Sequence, residues 1–148
     1  MSQYCTWHRY AVNHLLVLAL FIGACQRDDS TQRGVAADEA LTAGLAAYEA
    51  GDFPRAHELL SQACTLGGLQ SEAYTDAQLK MTACLANLAK FDEAHRIFDE
   101  HLKGAPNQDE VHAAKAYVLL KQGNRPAAEA ELGKARKINP RIGTINKP

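Results

Sequence analysis

The sequence predicts an all-α fold in which three helix–turn–helix repeats stack into a short right-handed solenoid. Helix formers dominate after residue 35, with abundant alanine and few aromatics, a composition suited to closely packed helices. The segment EAGDFPRAHELLSQA at 49–63 recurs as LAKFDEAHRIFDEHL at 88–102 and as KQGNRPAAEAELGKA at 121–135. Within these copies Ala56, Ala94 and Ala128 are 38 and 34 residues apart. Twelve residues beyond each stands a helix stop: Gly68, Pro106 or Pro140.

These markers place helices at 37–50, 53–66, 71–88, 91–103, 108–121 and 125–138. The first helix of each pair carries a small or short residue twelve positions before the marker alanine: Gly44, Thr82 and Ala116. Gly44 beside Ala56, and Ala116 beside Ala128, let antiparallel helices approach closely. Leu60, Phe98 and Leu132 lie four residues after the alanines and fill the space between one pair and the next. A single pair cannot bury its apolar face, whereas three stacked pairs can. The first interval is four residues longer than the second, which fits the turn Gly67-Gly68-Leu69-Gln70. After Pro140 only RIGTINKP remains, and the last helix, PAAEAELGKARKI, is charged enough to face water at the open end.

A period of 34 residues with A-x3-F…P in its second half resembles the tetratricopeptide repeat. FDEAHRIF with Pro106 carries the likeness best, and KARKINP closes the third copy in the same style. The repeats then run 37–70, 75–108 and 109–142, with 143–148 as a tail. Ala40, Gln78 and His112 stand where such repeats open with tryptophan, Thr82 replaces the usual Gly or Ala, and Arg125 replaces the aromatic found at Phe53 and Phe91. The resemblance implies a concave groove lined by the first helix of each repeat. Carried onto this chain, the lining is Leu41, Leu45 and Tyr48, then Leu79 and Asn87, then Tyr117, Leu120 and Lys121. Leucines at 41 and 45 replace the polar donors with which related co-chaperones clamp acidic tails, so the expected occupant is an apolar peptide or helix of a protein partner.

The N-terminus has a different character. MSQYCTWHRY carries a basic residue and no acid, and Leu15 to Ala24 form an unbroken apolar or small run. Ten residues are too few for a membrane-spanning helix, which needs about 20. A basic lead, a short apolar stretch and small closing residues make residues 1–24 an expected secretory signal peptide. Ile22-Gly23-Ala24-Cys25 resembles the lipobox of bacterial lipoproteins. That resemblance implies that Cys25 is lipidated and begins the mature chain, anchoring it to the membrane. Gln26, in place of the aspartate that retains such proteins at the inner membrane, implies an outer-membrane lipoprotein facing the periplasm. Residues 25–36 are then the lipidated cysteine and a flexible tether, whose 11 residues after Cys25 reach up to about 35 Å.

Little in the chain points to chemistry. A net charge of −1 offers no basic field for nucleic acid. No nucleophile elbow, phosphate loop or HExxH helix is present, so no enzyme, cofactor or small-molecule substrate is expected. His57 and His95 occupy equivalent repeat positions, but adjacent repeats hold them roughly 10 Å apart, too far for metal bonds of about 2.0–2.1 Å. With Cys5 removed and Cys25 acylated, Cys64 and Cys84 remain in an oxidising compartment. They are a candidate disulfide that closes 21 residues and adds about 3 kcal/mol; the other reading is buried filler.

The functional expectation is a membrane-anchored interaction scaffold that assists assembly of an envelope complex. Pilotins, which escort secretin subunits of pilus and secretion systems, share this layout. Two alternatives stand beside it: a scaffold for outer-membrane or cell-wall assembly, and a cytoplasmic three-repeat chaperone of a secretion substrate.

Overall fold

The computed structural model describes residues 30–143 of the chain, so the signal peptide, Cys5, Cys25 and the first part of the tether lie outside the described residues. Six helices and no strands occupy that span: α1 at residues 30–49, α2 at Phe53–Leu66, α3 at Ser71–Asn87, α4 at Phe91–Glu100, α5 at Gln108–Lys121 and α6 at Arg125–Ile138. Three of the expected ranges, for α2, α5 and α6, are met to the residue.

The turns inside the three pairs are built alike. At the end of α1, Gly51 N–H donates to the Tyr48 carbonyl and Asp52 N–H to the Ala47 carbonyl. The same two bonds recur as Ala89 to Ala86 with Lys90 to Leu85, and as Gly123 to Leu120 with Asn124 to Leu119. This is the Schellman closure, which needs a left-handed residue after the last helical turn. Gly51 (φ 76°) and Gly123 (φ 83°) adopt it freely, while Ala89 is forced into it at φ 57°. The next helix is then capped by a side chain in two of the pairs. Asp52 accepts from Arg55 N–H and Asn124 from Ala127 N–H, both at 3.3 Å, and a proline sits in each first turn.

Two boundaries depart from expectation. Residues 30–36, expected as part of a flexible tether, are helical and extend α1 beyond its predicted start at 37. The turn after α2 explains this: a Cβ on Gly68 would stand 3.3 Å from the Gly34 Cα, so the turn packs on the first part of α1. That contact supplies tertiary support that the polar sequence alone lacks. Helix α4 stops at Glu100 instead of 103: His101 N–H and Leu102 N–H both close on the Ile97 carbonyl, and Gly104 turns back at φ 88°. Leu102, released from the helix, folds inward and is buried.

Helix α3 is the hub. It packs on α2, α4 and α5, and α5 packs in turn on α4 and α6. Leu60, Ala77, Leu85, Ala94, Phe98, Leu102 and Val118 belong to one continuous core that runs through the pairs. The marker alanines Ala56, Ala94 and Ala128 are all buried. Gly44 plays the part foreseen for it: an added Cβ would come within 2.9 Å of the Leu60 side chain and 3.1 Å of its backbone nitrogen.

Candidate functional site

The first helices of the three pairs, α1, α3 and α5, form one layer whose joins are visible in side-chain pairs. Between α1 and α3, the Lys80 ammonium lies 4.8 Å from the centroid of the Tyr48 ring. Between α3 and α5, Asn87 Nδ2 donates to Tyr117 Oη at 2.9 Å, and the Tyr117 hydroxyl is 3.2 Å from Asn87 Oδ1. Lys121, one turn beyond Tyr117, places its ammonium 5.4 Å from that ring's centroid. Neither lysine has a carboxylate partner among the described residues.

Each ring is held from behind. Tyr48 is buried, meets Phe53 edge-on at 6.1 Å between centroids, and clusters with Ala56 and Cys84. Burial, reinforced by the nearby Cys84, Tyr117, Glu49 and Asp76, drives its phenol well above the usual tyrosine range. The ring is therefore neutral at every physiological pH. Asn87 is fixed twice, since its Nδ2 also donates to the Ala83 carbonyl at 2.8 Å. Tyr48 and Tyr117 are thus buried rings of this layer, and Lys80, Asn87 and Lys121 are the half-buried or exposed polar groups set over or against them.

The leucines expected beside them are buried to different degrees. Leu79 is buried in the core, and Leu41 and Leu45 pack against that core. Leu41, Gly44, Leu45 and Tyr48 follow helical spacing on one stripe, and the seating of Leu60 at Gly44 turns that stripe toward α2. Of the expected lining, Leu41, Leu45, Asn87 and Leu120 are half-buried and Lys121 is exposed, whereas Tyr48, Leu79 and Tyr117 are buried. Lys80 is the residue missed. Its signal was its place seven residues before Asn87, two turns back on the same face of α3.

The candidate disulfide is not made: Cys64 and Cys84 are free thiols. Antiparallel packing of α2 on α3 gives the reason. Cys64, near the end of α2, meets Gln78, whereas Cys84 meets Ala56 near the start of α2. Cys84 lies six residues past Gln78, about 9 Å along the helix, beyond the ~4.4–6.8 Å Cα separation of a disulfide. Burial pushes both thiols up, Cys84 to about 11; Cys84 is buried, whereas Cys64 is half-buried and open to slow alkylation.

The histidines are dispersed. His95 Nε2 is 3.1 Å from Gln122 Oε1, His101 Nδ1 is 3.3 Å from Tyr74 Oη, and His112 Nδ1 is 2.7 Å from Glu131 Oε2. Among the described residues no group of three His, Cys, Asp or Glu side chains is placed to hold a metal, and no helix is long and apolar enough to cross a membrane.

Residues 47–117, from the end of α1 to the middle of α5, match the family model of the tetratricopeptide repeat. Comparison with curated proteins and with solved structures gives no match. Repeats of this family are typically modules of protein–protein interaction and not catalysts. Together with the thrice-repeated turn and the α3 hub, the match supports a protein that contains tetratricopeptide repeats, with an all-α fold of that solenoid type.

Proposed function

We propose that the protein is a lipid-anchored scaffold of the bacterial cell envelope that grips a segment of a partner protein against α1, α3 and α5. The observation that supports the reading is the pair of lysines over Tyr48 and Tyr117, neither with a carboxylate partner among the described residues, with Asn87 bonded to Tyr117 between α3 and α5. The half-buried Leu41, Leu45 and Leu120 supply apolar contact, and the ammonium groups attract carboxylates without first breaking an ion pair. The segment that fits is amphipathic: an apolar body with acidic residues spaced to meet Lys80 and Lys121. This extends the purely apolar occupant that the sequence suggested, because Leu79 is buried in the core while Lys80 and Lys121 border the layer.

The compartment rests on the sequence of residues 15–26, read as signal, lipobox and sorting residue. In that setting the protein serves assembly of an envelope complex at the outer membrane, with a pilotin-like task as the nearest functional model. The test is affinity capture from solubilised envelopes. Lys80→Ala with Lys121→Ala should lower partner recovery at least about tenfold at low salt while the melting temperature is kept. Cys25→Ser should release the protein from the membrane fraction with its in vitro binding intact. Undiminished recovery by the double lysine variant would reject the inner face, and cytosolic protein that retains Met1 would reject the anchor and favour the chaperone alternative.

A further inference from the structure

The layer opposite the inner face contains a cleft of its own. Helices α2 and α4 do not pack against each other; both lean on α3, and a cleft of about 510 Å³ lies between them. Its base comes from one stripe of α3, with Gln78, Met81 and Leu85 at helical spacing, joined by Ile97 of α4. Three rings line it: His57 from α2, Tyr74 from α3 and His101 just past α4. Tyr74 and His101 meet edge-on at 6.5 Å between centroids.

Gln78 is anomalous there. It is 3% exposed, and its Oε1 is buried with no hydrogen-bond partner. At the equivalent place in the first repeat stands Ala40, which has no polar side chain to satisfy, and in the third stands His112, which is bonded to Glu131. An apolar residue of equal size at 78 would avoid the cost of a bare buried acceptor. The Gln78 amide reaches the Cys64 thiol, but that contact leaves Oε1 without a partner.

We propose that this cleft is a second binding site, one that receives a planar ring bearing an N–H donor: an indole. The argument is independent of the inner-face reading. A single orphaned acceptor needs a donor, and indole is donor-only, so it satisfies Gln78 Oε1 without bringing an acceptor that would itself need a partner. Hydroxyl and amide groups lack that property. Met81, Leu85 and Ile97 suit the ring's apolar body, and thioether sulfur contacts aromatic rings favourably. At the rim Glu93 is already paired with Lys90 at 3.4 Å, Glu100 lies 3.9 Å from His101 Nε2, and Arg96 adds a charge of opposite sign, so the site favours an uncharged group. The indole can be that of a free tryptophan derivative or of a tryptophan on a partner polypeptide.

Trp7, the sole tryptophan of the chain, lies outside the described residues, so the full-length Trp7→Phe protein leaves the probe's fluorescence without background. N-acetyl-tryptophanamide should bind saturably with a blue shift, and N-acetyl-phenylalaninamide, which has no N–H on its ring, at least about tenfold more weakly. Gln78→Met should abolish that preference. A tryptophan-bearing decapeptide that binds at least about tenfold tighter than the amide assigns the site to polypeptides; equal affinity assigns it to the free ring. In a parallel arm on the unaltered chain, the amide should slow alkylation of Cys64, mapped by mass, at least about threefold, because that side chain lines the cleft. No saturable binding, equal binding of the two amides, a preference that survives Gln78→Met, or unprotected Cys64 would each overturn the proposal.

Discussion

At the scale of single residues, fit decides more than composition. Gly44→Ala gains helix propensity of about 1 kcal/mol but drives a methyl group to 2.9 Å from Leu60 and 3.1 Å from its backbone nitrogen. The backbone contact cannot be relieved by a rotamer change, so we predict a net loss of about 1–2 kcal/mol in urea unfolding. Leu60→Ala should absorb part of that loss in a double-mutant cycle. His57 titrates in the opposite sense to a paired histidine: burial lowers its pKa despite the nearby Glu93. The unfolded state then binds the extra proton first, so stability is complete above about pH 6.5 and declines as pH falls below it. His57→Gln should flatten that decline in thermal melts from pH 7.5 to 5. Gly44 was legible in the sequence because a glycine twelve residues before a repeated alanine has one obvious use. The role of Lys80 was only partly so: its spacing to Asn87 puts it on the same face of α3, but its approach to the Tyr48 ring is set by tertiary packing.

At the scale of elements, the repeated turns set the helix ends, and the middle one is imperfect. Gly51, Ala89 and Gly123 occupy the same left-handed position, where alanine is strained by roughly 1–2 kcal/mol. Ala89→Gly should stabilise the protein by about 0.5–1 kcal/mol, the strain relieved less the added entropy of the unfolded chain, read as a rise in urea midpoint at constant slope. The cap of α6 is the converse case: Asn124→Ala removes the acceptor for Ala127 N–H and should cost about 1 kcal/mol. Between α5 and α6, burial would raise the Glu131 carboxyl, but hydrogen bonds from Lys134 and His112 outweigh it and hold the group below its ordinary value. That contribution is present above about pH 4.3 and fades as acid protonates the folded carboxylate, so Glu131→Gln should remove part of the acid sensitivity. Helix bounds were readable wherever glycine or proline marks an end, as in α2, α5 and α6. They were misread at α1 and α4, where packing of the Gly68 turn and the inward fold of Leu102 fixed the limits.

At the scale of the molecule, the repeat was visible because each copy spends the same small residues on the same close approaches. The sites were less visible because they arise between copies, where the repeats differ. The outer cleft is such a difference: Gln78 stands at a buried position that Ala40 and His112 fill without an orphaned atom. The separated thiols also mark register over sequence proximity, and they predict a fold indifferent to redox state: reductant should leave the melting temperature within about 1 °C. The early start of α1 has a mechanical consequence. Five Cα steps separate Cys25 from Ser30, which span at most about 18 Å. In the proposed anchoring this is a short mount and not a long leash. The solenoid would ride within a helix pair's thickness of the lipid headgroups, able to swivel but not to range. Any partner it grips would have to arrive at the membrane surface to be caught.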